Sequence, residues 1–148
     1  MPLIEDVSRK IVEAMKAKDT DALGTLRMLK TALMNREIEK GRALEPAEDL
    51  QVVASLVKQR RDSIEQFTKG NRPDLVQQEQ REIAVLERFQ PPAVGAEELA
   101  AAVDRAVSST GATSAKDFGK VMKAAMAELA GKTIDGKVVS EAVKKRLG

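Results

Sequence analysis

From Ile4 to Leu147 the apolar side chains recur three or four residues apart, and nowhere do they alternate singly with polar ones. An α-helix satisfies that period and a half-buried β-strand does not, so the chain has one class of fold open to it. Ile4, Val7, Ile11, Ala14 and Met15 form the first apolar set, which fades into a short connection at Lys16-Ala17-Lys18-Asp19. Leu23, Leu26, Leu29, Leu33, Met34 and Ile38 carry the period on to Gly41. Glu45-Pro46-Ala47-Glu48-Asp49 is a helix start, because proline suits the first turn and acids complement the helix dipole. Leu50, Val53, Leu56, Val57, Ile64 and Phe67 line the face that follows, up to Gly70. Pro73-Asp74 opens a further helix with Leu75, Ile83, Leu86 and Phe89 inward, and Pro91-Pro92 closes it, since neither proline can donate a helical hydrogen bond.

The proline pair is the expected domain boundary. Leu99, Val103, Ala106 and Val107 mark a shorter helix ending near Gly111. Ser114-Ala115-Lys116-Asp117 is close to a capping box, with Asp in place of Glu, and opens a second with Phe118, Val121, Met122, Ala125, Met126 and Leu129 on its face. Val138, Val139, Ala142, Val143 and Leu147 mark the last. The predicted fold is therefore all-α. A bundle of about four helices spans residues 1–90, and a small module of about three helices spans residues 93–148.

Aromatics are only 2% of the chain, so the core must be built from Leu, Val, Ile, Ala and Met. Met15, Met28, Met34, Met122 and Met126 are expected to fill it. Histidine and cysteine are absent altogether. That removes serine and cysteine triads, thiol chemistry and the usual zinc and transition-metal ligands. The carboxylates recur beside cations on polar helix faces, so no catalytic residue, cofactor site or metal site is assigned. No stretch reaches the roughly 18 apolar residues that cross a bilayer. Met1-Pro2-Leu3-Ile4-Glu5-Asp6 does not read as a signal peptide, so the expectation is a cytoplasmic protein with no membrane partner.

The specific signal lies in the last third: Lys116-Asp117-Phe118-Gly119-Lys120-Val121-Met122-Lys123, then Gly131-Lys132-Thr133-Ile134-Asp135-Gly136-Lys137, then Lys144-Lys145-Arg146-Leu147. Gly131 ends one helix, Asp135 can cap the next, and Gly136 is expected to let the backbone turn tightly. Lys116, Lys120 and Lys123 fall on one side of a helix by their spacing. Residues 1–90 hold 16 basic and 16 acidic side chains, whereas residues 105–148 hold 9 and 4, a net of +5. Phosphate attracts such an excess. The other reading is solvated lysines placed favourably at helix C-termini. Phe118 falls on the apolar stripe, which argues against base stacking. Gly119 allows either close helix packing or close approach of RNA. Neither a P-loop nor an EF-hand is present, because the spacings are wrong. Arg60, Arg61, Arg72 and Arg81, among Asp62, Glu65, Asp74, Glu79 and Glu82, read as ion pairs that fix the first bundle or as a docking surface.

This tail resembles the C-terminal segment shared by the YqeY family and the B subunit of the aminoacyl-tRNA amidotransferase. The likeness lies in its Gly-Lys-x-Met, Gly-Lys and Asp-Gly-Lys elements and in the valines and cations that follow. Lys58-Gln59-Arg60-Arg61-Asp62-Ser63, with Phe67, Gly70, Arg72, Asp74-Leu75, Glu79 and Glu82, is similar to the N-terminal half of YqeY proteins. Two places depart from the pattern: Thr133-Ile134 stands where a small residue is usual, and Phe89-Gln90-Pro91-Pro92 replaces an aromatic-leucine-proline connection. The resemblance implies a tRNA-binding accessory protein, associated with a carbon–nitrogen ligase that uses glutamine as amido donor, or with glutaminyl-tRNA formation. Its partners would be tRNA and an aminoacyl-tRNA amidotransferase or synthetase. The RNA-binding residues would be Lys116, Lys120, Lys123, Lys132, Lys137, Lys144, Lys145 and Arg146. A protein–protein adaptor docking through the first bundle is the rival, and a small carboxylate enzyme a third reading.

Overall fold

A computed structural model describes residues 1–148. The chain is all-α. Its seven helices are α1 (Leu3–Lys16), α2 (Thr20–Lys40), α3 (Pro46–Lys69), α4 (Pro73–Glu87), α5 (Ala96–Thr110), α6 (Phe118–Glu128) and α7 (Gly136–Leu147), with a 3₁₀ turn, Ala115–Asp117, before α6. They gather into two compact units, Met1–Gln90 and Pro91–Gly148.

In the first unit α1 packs on α2, α3 on α4, and α2 on both α3 and α4. Val7, Leu29, Leu33, Val53, Val57 and Leu86 are fully buried at the centre. Local signals set the helix starts. Asp19 accepts the backbone N–H of Ala22 at 3.1 Å and caps α2. Pro46 fills the first turn of α3, where a capping box links Glu45 and Glu48. Arg42 lies 2.7 Å from Glu48 and holds its carboxyl down at about 2, helped by the N–H of Glu45.

Three side chains of the expected core face out. Met15, Met34 and Ile38 are exposed, Ile38 at 76%. Residues advance about 100° each around a helix, so Met15 and Met34 follow Ala14 and Leu33 just off the stripe, and Ile38 sits about 140° from Leu33. Two charged groups are buried instead. Arg60 donates from Nε to Glu82 Oε2 at 3.1 Å and from Nη1 to the Leu56 carbonyl at 2.8 Å, and its Nη2 lies 2.6 Å from the Met28 sulfur. That pair joins α3 to α4 and realises the ion-pairing reading of Arg60. Asp49 is buried where α3 meets the first turn of α1. Burial pushes its carboxyl up, and the N–H of Leu3 partly offsets that.

In the second unit α5, α6 and α7 pack pairwise. Ala106, Val121, Ala125, Val139 and Val143 form a core of small residues, which brings the three axes close together. Met122 and Phe118 pack at its margin, while Met126 is exposed, one residue off the stripe from Ala125. A single parallel bridge joins Ala93 to Thr133. Around it the Val94 N–H donates to the Thr133 carbonyl at 3.0 Å, and the Thr133 hydroxyl donates to the Pro91 carbonyl at 2.6 Å. The two places where the sequence departs from the resembled pattern therefore touch each other.

Candidate nucleic-acid interface

The eight candidate cations all belong to the second unit, and the fold sorts them by what they face. Lys116 lies in the 3₁₀ turn, and Lys120 and Lys123 lie three residues apart on α6. All three are exposed and make no ion pair. The turn that presents them is tied from both sides. The Ser114 hydroxyl accepts the Lys116 N–H at 3.4 Å, and Asp117 Oδ2 accepts the Thr113 N–H at 3.0 Å. The Thr113 N–H is the main cause holding the Asp117 carboxyl below its usual range, with Lys120 adding a smaller pull. The expected capping box is thus shifted by one residue, since Asp117 reaches back to Thr113.

Lys132 and Arg146 are placed differently. Lys132 pairs with Glu98, and Arg146 Nε bonds Asp104 Oδ1 at 3.0 Å. Both acids lie on α5. A third pair, Arg105 to Glu128 at 3.0 Å, joins α5 to α6. The positive excess counted over residues 105–148 left out the first part of α5, residues 96–104, with Glu97, Glu98 and Asp104. Across residues 91–148 there are 9 basic and 7 acidic side chains, a net of +2. Sequence spacing could not reveal these pairs, which bridge 34 and 42 positions. Counting charge over the whole module lowers the excess from +5 to +2 but does not say which cations are paired.

The remaining cations sit on α7. Asp135 accepts the Lys137 N–H at 2.9 Å and caps the helix, as the sequence suggested. Lys144 Nζ lies 5.7 Å from the centroid of the Phe118 ring, within cation–π range. Phe118 is half-buried, packed against the core on one side and under a lysine on the other. Lys145 is exposed and unpaired.

The glycines divide too. Gly131 has φ 78°, the left-handed conformation that a helix terminus favours. Gly136 is the first residue of α7 and takes no left-handed turn. A Cβ at Gly119 would meet nothing within 4 Å, so close helix packing does not explain that glycine.

A surface of solvated lysines beside a capped turn can attract an anion, chiefly by charge. The family model described as Yqey-like protein matches residues 4–147. The chain belongs to the YqeY family. Among its relatives, the proteins named "Altered inheritance of mitochondria protein 41, mitochondrial" are similar over much of the chain. That of Eremothecium gossypii is 37% identical over 101 residues, covering 66% of this chain and 55% of the relative. That of Kluyveromyces lactis is 37% identical over 103 residues, covering 68% and 56%. That of Pyrenophora tritici-repentis is 28% identical over 137 residues, covering 91% and 75%. The match thus takes in little more than half the length of the first two relatives. Their names correct the cytoplasmic expectation. Lack of cysteine and of an apolar span does not discriminate between compartments, and the relatives are mitochondrial proteins. No helix is long and apolar enough to cross a membrane.

Proposed function

We propose that this YqeY-family chain is a tRNA-binding accessory module for tRNA-dependent amidation or glutaminyl-tRNA formation, gripping RNA backbone while another protein performs the chemistry. The observation that carries this reading is the exposed, unpaired set Lys116, Lys120 and Lys123 beside a turn held by Ser114 and Asp117. Such cations bind polyphosphate by releasing its counterions, and they read no sequence. Lys137, Lys144 and Lys145 extend the charged surface. Lys132 and Arg146 join it only by leaving their acids on α5.

The test is tRNA binding by the variant carrying Lys116→Ala, Lys120→Ala and Lys123→Ala. Loss of about three phosphate contacts lowers the salt slope by roughly 2–3 and weakens all tRNAs alike. Lys58→Ala with Arg61→Ala is the control, and Arg60 stays untouched because its guanidinium is buried in the first unit. A folded triple-lysine variant that keeps both its tRNA affinity and its salt slope rules the reading out and favours the protein adaptor.

A further inference from the structure

The second unit carries another surface, whose apolar floor phosphate chemistry does not use. Between α5 and α7 runs an open groove of about 430 Å³, floored by Leu99, Ala100, Val103 and Ala142. Three of the residues lining it are alanines, Ala96, Ala100 and Ala142, whose small side chains leave space between the helices. Its volume lies within the roughly 300–1,000 Å³ typical of ligand clefts. Ribose and phosphate gain nothing from an apolar floor, so RNA is the wrong occupant. The rim decides the charge of the right one. Lys145 and Arg146 stand on one side, and Asp104 is the single acid, already bonded to Arg146 Nε at 3.0 Å. Two cations against one acid leave the rim positive, with Lys145 unpaired.

We propose that the α5–α7 groove receives an acidic amphipathic helix of a protein partner, its apolar ridge on Leu99, Ala100 and Ala142 and a carboxylate on Lys145. Helix-in-groove docking needs this combination, a channel wide enough for side chains spaced three or four apart and a charged rim that fixes orientation. The patch is small, so the association is weak and exchanges quickly. It lies on helices other than α6, which leaves Lys120 and Lys123 free for RNA in the same complex.

The test needs no RNA, so its failure is distinct from failure of the RNA reading. Full-length ¹⁵N-labelled chain is titrated with two synthetic helical peptides of about 16 residues, long enough to hold helix, one pairing a leucine ridge with glutamates and the other the same ridge with lysines. The Leu/Glu peptide shifts the amides of Leu99, Ala100, Val103, Ala142 and Lys145, and the Leu/Lys peptide at equal concentration does not. Ala100→Glu, an exposed site on α5, weakens the Leu/Glu peptide roughly tenfold by setting a like charge in the groove, while the thermal melt stays unchanged. Lys145→Glu reverses the preference toward the Leu/Lys peptide. Equal shifts from both peptides, shifts confined to α6 or the first unit, or no shift at millimolar peptide overturn the proposal. So does a concentration-dependent dimer in sedimentation whose contact maps to the groove, because a second copy would then be the occupant.

Discussion

If the acids on α5 hold Lys132 and Arg146 back from RNA, removing them must add contacts and tighten binding. The perturbation is Glu98→Gln with Asp104→Asn. Each pair is exposed, with side chains 47% and 40% accessible for Lys132–Glu98 and 52% and 63% for Arg146–Asp104. Exposed pairs of this kind contribute about 0.2–1 kcal/mol each, so releasing both cations strengthens binding by about 1 kcal/mol, or roughly fivefold. The salt dependence is the sharper signature. About four phosphate contacts give a slope near −3, and two more steepen it to about −4.5. Between 50 and 200 mM salt the loss of affinity then grows from about 60-fold to about 500-fold. The assay is fluorescence anisotropy of labelled tRNA across that salt range. Glu97→Gln is the control, since it changes net charge in the same turn of α5 without freeing a candidate cation. The double variant also melts earlier, by a few degrees, as the two α5 pairs are lost. If its salt slope matches that of Glu97→Gln, the acids on α5 do not hold Lys132 and Arg146 back from RNA and the competition argument is refuted.

Leu86→Ala and Leu129→Ala each remove a buried leucine and lower stability by about 3 kcal/mol, and native-state hydrogen exchange confines each loss to the unit that holds the residue. Glu82→Gln strands the Arg60 guanidinium, 9% accessible, and costs about 3 kcal/mol in urea denaturation. Arg60→Met costs less, because the Glu82 carboxyl is 26% accessible and can rehydrate. The pH dependences of neighbours oppose each other. Glu48, lowered from 4.5 to about 2, contributes stability above its usual value that is lost as pH falls toward about 2, so Glu48→Gln lowers the melting temperature at pH 6 and not at pH 2. Asp49, raised from 3.8, contributes fully below that value and loses its contribution as pH rises through the raised one, so Asp49→Asn flattens the fall on that side. Purified chain given glutamine, ATP and misacylated tRNA forms no amidated tRNA by acid-gel analysis.

Helices were legible because a period of 3.6 leaves its mark wherever one face is buried, as at Leu26, Leu29 and Leu33 or Val121, Ala125 and Leu129. Errors came from extending a stripe by residue type alone. Ile38 is apolar, yet it stands on the wrong side of α2, and its neighbour Arg36 stays partly covered. Burial of Arg60 was invisible for the opposite reason. Its partners Met28 and Glu82 lie 32 and 22 positions away, and nothing local distinguishes it from exposed Arg61. At the candidate interface the cap at Asp135 and the helix end at Gly131 were local and readable. The division of cations into free and paired was not, since it depends on α5 returning its acids to the far end of the module.

Thr133 and Pro91 bear on how such a module could be passed between proteins. The hydroxyl of Thr133 holds the chain just where it enters the second unit, at a peptide carbonyl ahead of the first residue of the Ala93 bridge. A piece cut after Pro92 keeps every helix and loses that latch. A gene fusion or a shuffled domain that respects the fold would therefore splice before Pro91, carrying both prolines as part of its cargo.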